Sequence, residues 1–151
     1  MPAIRTQIVF DAAEPHTVAA FWAAALHYEH EEIDGFVRGL VDAGHAPTEA
    51  AMEVEGKLRW RAVASLRHPY DGVDERGAGT GRRILFVAVP EAKTVKNRVH
   101  LDLTVGPEAH EAEVQRLVAL GATVVGVHNG PEGHWTLMVD PEGNEFDVTA
   151  G

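Results

Sequence analysis

Apolar residues along this chain change their spacing repeatedly, and the changes fall in the same order twice. Residues 4 to 10, Ile-Arg-Thr-Gln-Ile-Val-Phe, are rich in β-formers and predict a first strand that stops at Asp11-Ala12-Ala13. Pro15 follows where a first helical turn tolerates it, and Val18, Phe21, Trp22, Ala25 and Leu26 repeat at i, i+3, i+4, i+7 and i+8, one face of a helix. Tyr28 to Ile33 reads as a short strand. Runs from Ala62 to Arg67 and Arg83 to Val89 read as two more, a hairpin spanning a mobile loop with Gly72, Gly77, Gly79 and Gly81.

Pro90 to Asn97 is polar and discourages strand, so it is expected to connect two halves. The pattern then restarts. Asn97 to Val105 predicts a strand, and Pro107 opens a helix with Val114, Leu117 and Val118 on one face and Gly121 as its stop. Residues 122–128, 134–139 and 145–149 supply three strands, the last two joined at Asp140-Pro141-Glu142-Gly143. The segment from Asp34 to Trp60 has no clean period and is read as an insertion, with a short helix over Phe36, Val37, Leu40 and Val41 ended by Gly44. The order β, α, β, β, β therefore occurs twice, and internal repetition constrains a fold more than any single motif.

At 151 residues the chain supports one core comfortably, so the two halves are expected to share it. Its hydrophobic fraction of 45% is that of an ordinary globular protein. The formal charge of −10, from 23 acidic residues against 13 Lys and Arg, argues against a nucleic-acid surface. With no cysteine, thiol catalysis, disulfides and thiolate metal sites are excluded. No apolar run reaches the roughly 20 residues that cross a bilayer, and the start lacks an apolar signal core, so no membrane partner and a cytoplasmic location are expected. The glycines of residues 72–81 are not a phosphate loop, since no Gly-Lys-Ser or Gly-Lys-Thr follows them.

Strand parity selects candidate chemistry, because successive side chains point to opposite faces. His100, Asp102 and Thr104 share one face, opposite Val99, Leu101, Leu103 and Val105; Glu145, Asp147 and Thr149 share one face, opposite Phe146 and Val148. On the first strand Gln7 falls on the polar side. Trp135 stands on a strand of the second half, where core packing and ligand contact are both open to it.

Three stretches carry a resemblance: Phe21-Trp22-Ala23-Ala24-Ala25-Leu26, the run from Val89 to Leu103 containing His100, and Asp140-Pro141-Glu142-Gly143-Asn144-Glu145-Phe146. With them the chain resembles the glyoxalase-like domains of the vicinal-oxygen-chelate (glyoxalase/bleomycin resistance/extradiol dioxygenase) superfamily. The resemblance implies an α+β fold of two tandem βαβββ modules forming an open, curved mixed sheet around a central cavity. It makes residues 1–151 a single glyoxalase-like domain, with module one at about 4–89 and module two at about 97–149.

The resemblance further implies a divalent metal (Ni, Zn, Mn or Fe) at Gln7, His100 and Glu145, with Glu145, Asp102 or Asp147 as the proton-moving carboxylate and Trp135 and Phe86 touching the substrate. The fourth ligand of metal-using relatives has no acidic counterpart on Ile84 to Val89. Two functions stay open: a metal-dependent lyase, isomerase or dioxygenase acting on a small oxygenated molecule, and a metal-free protein that sequesters a small molecule. A homodimer is also implied.

Overall fold

The computed structural model describes residues 4–151. The chain separates into two compact units, one running through Pro90 and one from Glu91, so the boundary falls at the start of the polar connector expected from the sequence. The fold is α+β, with each unit built on the same βαβββ plan.

In the first unit β1 (Ile8–Ala12) leads to α1 (Pro15–Leu26), then β2 (Glu29–His30), α2 (Asp34–Asp42), the hairpin β3 (Ala51–Val54) and β4 (Lys57–Trp60), and finally β5 (Val63–Arg67) and β6 (Arg83–Ala88). Its main sheet has the order β1-β6-β5-β2, with β1 and β6 parallel and the other pairs antiparallel. The second unit runs β7 (Leu101–Thr104), α3 (His110–Leu120), β8 (Thr123–Gly130), β9 (Gly133–Val139) and β10 (Glu145–Thr149). Its sheet has the corresponding order β7-β10-β9-β8, again with first and last strands parallel. A parallel pair demands a crossover connection; here the helix and the remaining strands of each unit lie between its two members in sequence.

Alternation builds both cores. Along β6, Ile84 and Phe86 are buried while Arg83, Leu85 and Val87 are only partly covered. Phe86 stacks on Phe10 with ring centroids 5.2 Å apart, and Phe10 in turn lies 5.5 Å from Trp22 of α1. Phe86, expected from the resemblance to touch substrate, is thus fully buried in the sheet–helix core. In the second unit Leu103, Met138, Phe146 and Val148 bury beneath Val114 and Leu117 of α3.

Several boundaries differ from expectation for identifiable reasons. β1 starts four residues later because its length is set by β6, which pairs with Ile8 through Ala12. β7 starts at Leu101 rather than Asn97, because the Asn97 amide donates to the Glu145 carboxylate instead of to a strand. The insertion holds a hairpin that periodicity missed. Its two-residue turn, Glu55-Gly56, has φ of 51° and 76°, the pair of positive values that a tight hairpin turn requires. The Gly-rich stretch, expected to be mobile, is pinned: Arg82 donates to Asp71 from its amide and guanidinium, Ala78 N to Asp74, and Gly79 N to the buried Glu31 carboxylate. Gly77 is obligatory there, since a Cβ would lie 2.1 Å from the Glu32 carbonyl oxygen.

Candidate metal and ligand site

The exposed face of the second sheet collects the polar residues that alternation assigned to it. Asp102 of β7 pairs in register with Asp147 of β10, and Thr104 with Thr149. Across the next ladder Asp147 faces Leu137 and Thr149 faces Trp135. Directly opposed residues lie on the same face of a sheet, so Asp102, Asp147, Glu145 and Trp135 share one surface. The Trp135 ring stacks on His128 with centroids 3.8 Å apart, giving that surface a flat aromatic wall.

His100 sits one residue ahead of β7 and reaches the same place. Its Nε2 lies 3.3 Å from Asp102 Oδ1 and 3.3 Å from Asp147 Oδ2. Ligand atoms of the three residues all fall within 4.8 Å of one another. The side chains grade from open to enclosed: Asp102 is 58% exposed, His100 39% and Asp147 15%. Asp147 Oδ1 is buried and has no hydrogen-bond partner among the described residues. Burial raises the Asp147 pKa; nearby His100 acts to lower it and Asp102 to raise it. A carboxylate oxygen enclosed without a donor carries the full desolvation penalty of its charge, which a cation would relieve.

Glu145 has other partners. One oxygen accepts from Lys93 Nζ at 2.9 Å and the other from the Asn97 amide at 3.0 Å. Burial acts to raise its pKa, but the Asn97 amide and the Lys93 ammonium outweigh it and bring the value to about 2. The adjacent Asn144 extends the clamp: it accepts from Asn97 Nδ2 at 2.9 Å and donates to Asp140 from both its amide and its side chain. The segment from Lys93 to Asn97, which leads directly to His100, is thereby fastened to the β9–β10 turn.

Gln7 belongs to the first unit, just before β1, where its Oε1 accepts from Arg83 Nη1 at 3.2 Å. Of the sequence-derived candidates, the structure therefore brings together His100, Asp102 and Asp147, sets Trp135 on the same face, and gives Glu145 and Gln7 cationic partners. The clamp of Lys93, Asn97 and Asn144 was not singled out from the sequence. Its members lie up to 52 residues apart, and no local pattern joins a loop lysine to a strand carboxylate.

A doubled βαβββ plan with a His–carboxylate cluster on the polar sheet face defines the class: this is a vicinal-oxygen-chelate protein. More narrowly, residues 7–149 match the model of the glyoxalase-like domain, and the chain belongs to that family. Among curated proteins, none matches it by sequence. Solved structures share the fold at low identity. The fosfomycin resistance protein FosX of Listeria monocytogenes, a mutant form complexed with Mn(II) and 1S,2S-dihydroxypropylphosphonic acid, is 12% identical, with a TM-score of 0.61 over 100% of this chain and 92% of that one. The bleomycin-binding protein of Streptomyces verticillus, complexed with copper(II)-bleomycin, is 15% identical, with a TM-score of 0.54 over 100% and 98%. A glyoxalase/bleomycin resistance protein/dioxygenase family enzyme of Burkholderia phytofirmans is 17% identical, with a TM-score of 0.56 over 97% of each chain.

Proposed function

We propose that this protein binds a small oxygenated molecule at a divalent metal held by His100, Asp102 and Asp147, and acts on it as a lyase, isomerase or oxygenase. The observation that carries this reading is the clustering of ligand atoms from His100, Asp102 and Asp147 within 4.8 Å of one another, on a carboxylate whose other oxygen is buried with no hydrogen-bond partner among the described residues. One imidazole and two carboxylates suit Mn, Fe, Zn or Ni, and three protein ligands leave positions open for water and substrate. When bound, the metal supplies Lewis acidity toward adjacent substrate oxygens.

The chain's own residues divide the remaining work. Trp135 offers an apolar wall beside the cluster, and the hydroxyls of Thr104 and Thr149, 3.3 Å apart, line the same face. Glu145 is a poor general base near neutral pH because its pKa is about 2. Its role is positioning, through the Asn97 amide and Lys93.

A metal-free binding protein is favoured by one feature: His100 Nε2 lies 3.3 Å from both Asp102 Oδ1 and Asp147 Oδ2 and so already links the two aspartates without an ion. Calorimetric titration of the untagged protein with Mn, Fe, Zn and Ni separates the two readings. Saturable one-to-one binding that disappears in His100→Ala is expected; no saturation with any of the four metals would sink the enzyme reading. The family resemblance also leads us to expect a homodimer, to be checked by light scattering, with a strictly monomeric mass at micromolar concentration refuting it.

A further inference from the structure

The first unit buries a cation that its fold does not neutralise. Arg59, on β4, is only 7% exposed. Its Nη1 donates to the Glu31 carbonyl oxygen at 3.2 Å, while its Nε is buried with no hydrogen-bond partner among the described residues. Among the described residues no carboxylate forms an ion pair with it. The nearby Glu31 carboxylate, itself 0% exposed, is taken by Arg83 through Nε at 2.5 Å and Nη2 at 2.7 Å, and by the Gly79 amide at 2.7 Å. Glu32 is held by Lys57 Nζ, 2.6 Å from both carboxylate oxygens.

Close to Arg59 stands a second orphan. His30 Nδ1 is buried without a hydrogen-bond partner among the described residues. Burial lowers the pKa of His30, as do the charges of Arg59 and His16, against the weaker pull of Glu55 and Glu32; the ring is neutral near pH 7. The Glu31 carboxylate is thus paired with the half-buried Arg83, and the buried Arg59 beside it is left without an ion pair among the described residues. An unpaired buried charge and two unsatisfied buried nitrogens are each costly, and a guanidinium fork is shaped for carboxylate and phosphate oxygens.

We propose that Arg59 and His30 form a binding site for the oxyanion group, carboxylate or phosphoryl, of a small ligand. Arg59 Nε donates to one ligand oxygen and the Nδ1–H tautomer of His30 to another. The site lies within the first unit and owes nothing to the cluster at His100, so either reading stands if the other fails.

The test is a nitrogen-15 NMR titration of the full-length protein, stripped of metal and dialysed free of chelator so that neither competes for the anion or its site, with inorganic phosphate in one arm and acetate in the other. The Arg59 Nε–H resonance should shift saturably in at least one arm, and the arm that binds tighter identifies the ligand group. The His30 pKa should rise on binding, because the anion offsets the charge of Arg59. In Arg59→Lys the affinity should fall about tenfold or more, the loss expected for a charged hydrogen bond, while the exposed Arg76 and Arg82 show no saturable response in the parent protein. Non-saturating Arg59 shifts in both arms, or equal affinity in Arg59→Lys, would overturn the proposal. The parent titration decides the matter even if the variant fails to fold.

Discussion

Asp147 and Glu145 sit two residues apart on one strand face and do different things, and the difference lies in what each carboxylate meets. Glu145 meets an amide and an ammonium; Asp147 meets an imidazole on one oxygen and no donor on the other. Substituting Asp147→Asn is expected to abolish metal binding in calorimetry while leaving the melting temperature unchanged or higher, because an uncharged amide of the same shape removes a desolvated charge. Substituting Glu145→Gln should leave a site that still binds but about 10–100-fold more weakly, the usual effect of disturbing groups that orient ligands. Equal losses in the two variants would contradict this division. Parity placed both residues, with His100 and Asp102, on one face from sequence alone. Which carboxylate joins His100 was not legible there, because it depends on Lys93 and Asn97, brought in by a loop about 50 residues earlier in the chain.

The elements show the same contrast between local and distant causes. Both core helices end in a left-handed residue, Gly121 in α3 with φ 114° and His27 in α1 with φ 54°. A side chain in that conformation costs about 1–2 kcal/mol, and His27 is exposed. His27→Gly is therefore expected to stabilise the protein by about 1 kcal/mol in urea denaturation, with a loss of stability counting against the strained cap.

The Gly-rich connection between β5 and β6 supplies a pH-dependent counterpart. Hydrogen bonds from the Arg82 side chain and amide lower the Asp71 pKa from 3.8 to about 2. A depressed carboxylate pKa stabilises the fold fully above the unfolded value and less as pH falls toward the folded one. The stability gap between the parent and Asp71→Asn should accordingly be constant above pH 3.8 and close as pH falls toward 2; a gap independent of pH would refute the assignment. The periodic elements α1, α3 and β8 to β10 were legible in sequence because their apolar spacing is regular. The β3–β4 hairpin was not, since its strands are four residues each and too short for alternation to stand out.

For the molecule as a whole, a metal that binds the folded chain and not the unfolded one must raise its stability, by about 2.7 kcal/mol at a hundredfold excess over the dissociation constant. The melting temperature should rise with Mn or Zn in the parent and stay fixed in His100→Ala; an identical rise in both would place the metal elsewhere. No helix among the described residues is long and apolar enough to cross a membrane.

The sequence by itself determined the doubled βαβββ order, the face on which each strand residue lies, and the exclusion of thiol chemistry. Those properties follow from local periodicity and composition, which no partner can alter. Tertiary structure alone decided that Asp147 rather than Glu145 lies against His100, that Phe86 packs in the core, that Gln7 bonds Arg83, and that Arg59 is buried without a counter-ion among the described residues. Each of these depends on which side chains meet across strands and loops far apart in the chain, where a difference of a few ångströms decides which partner a carboxylate takes.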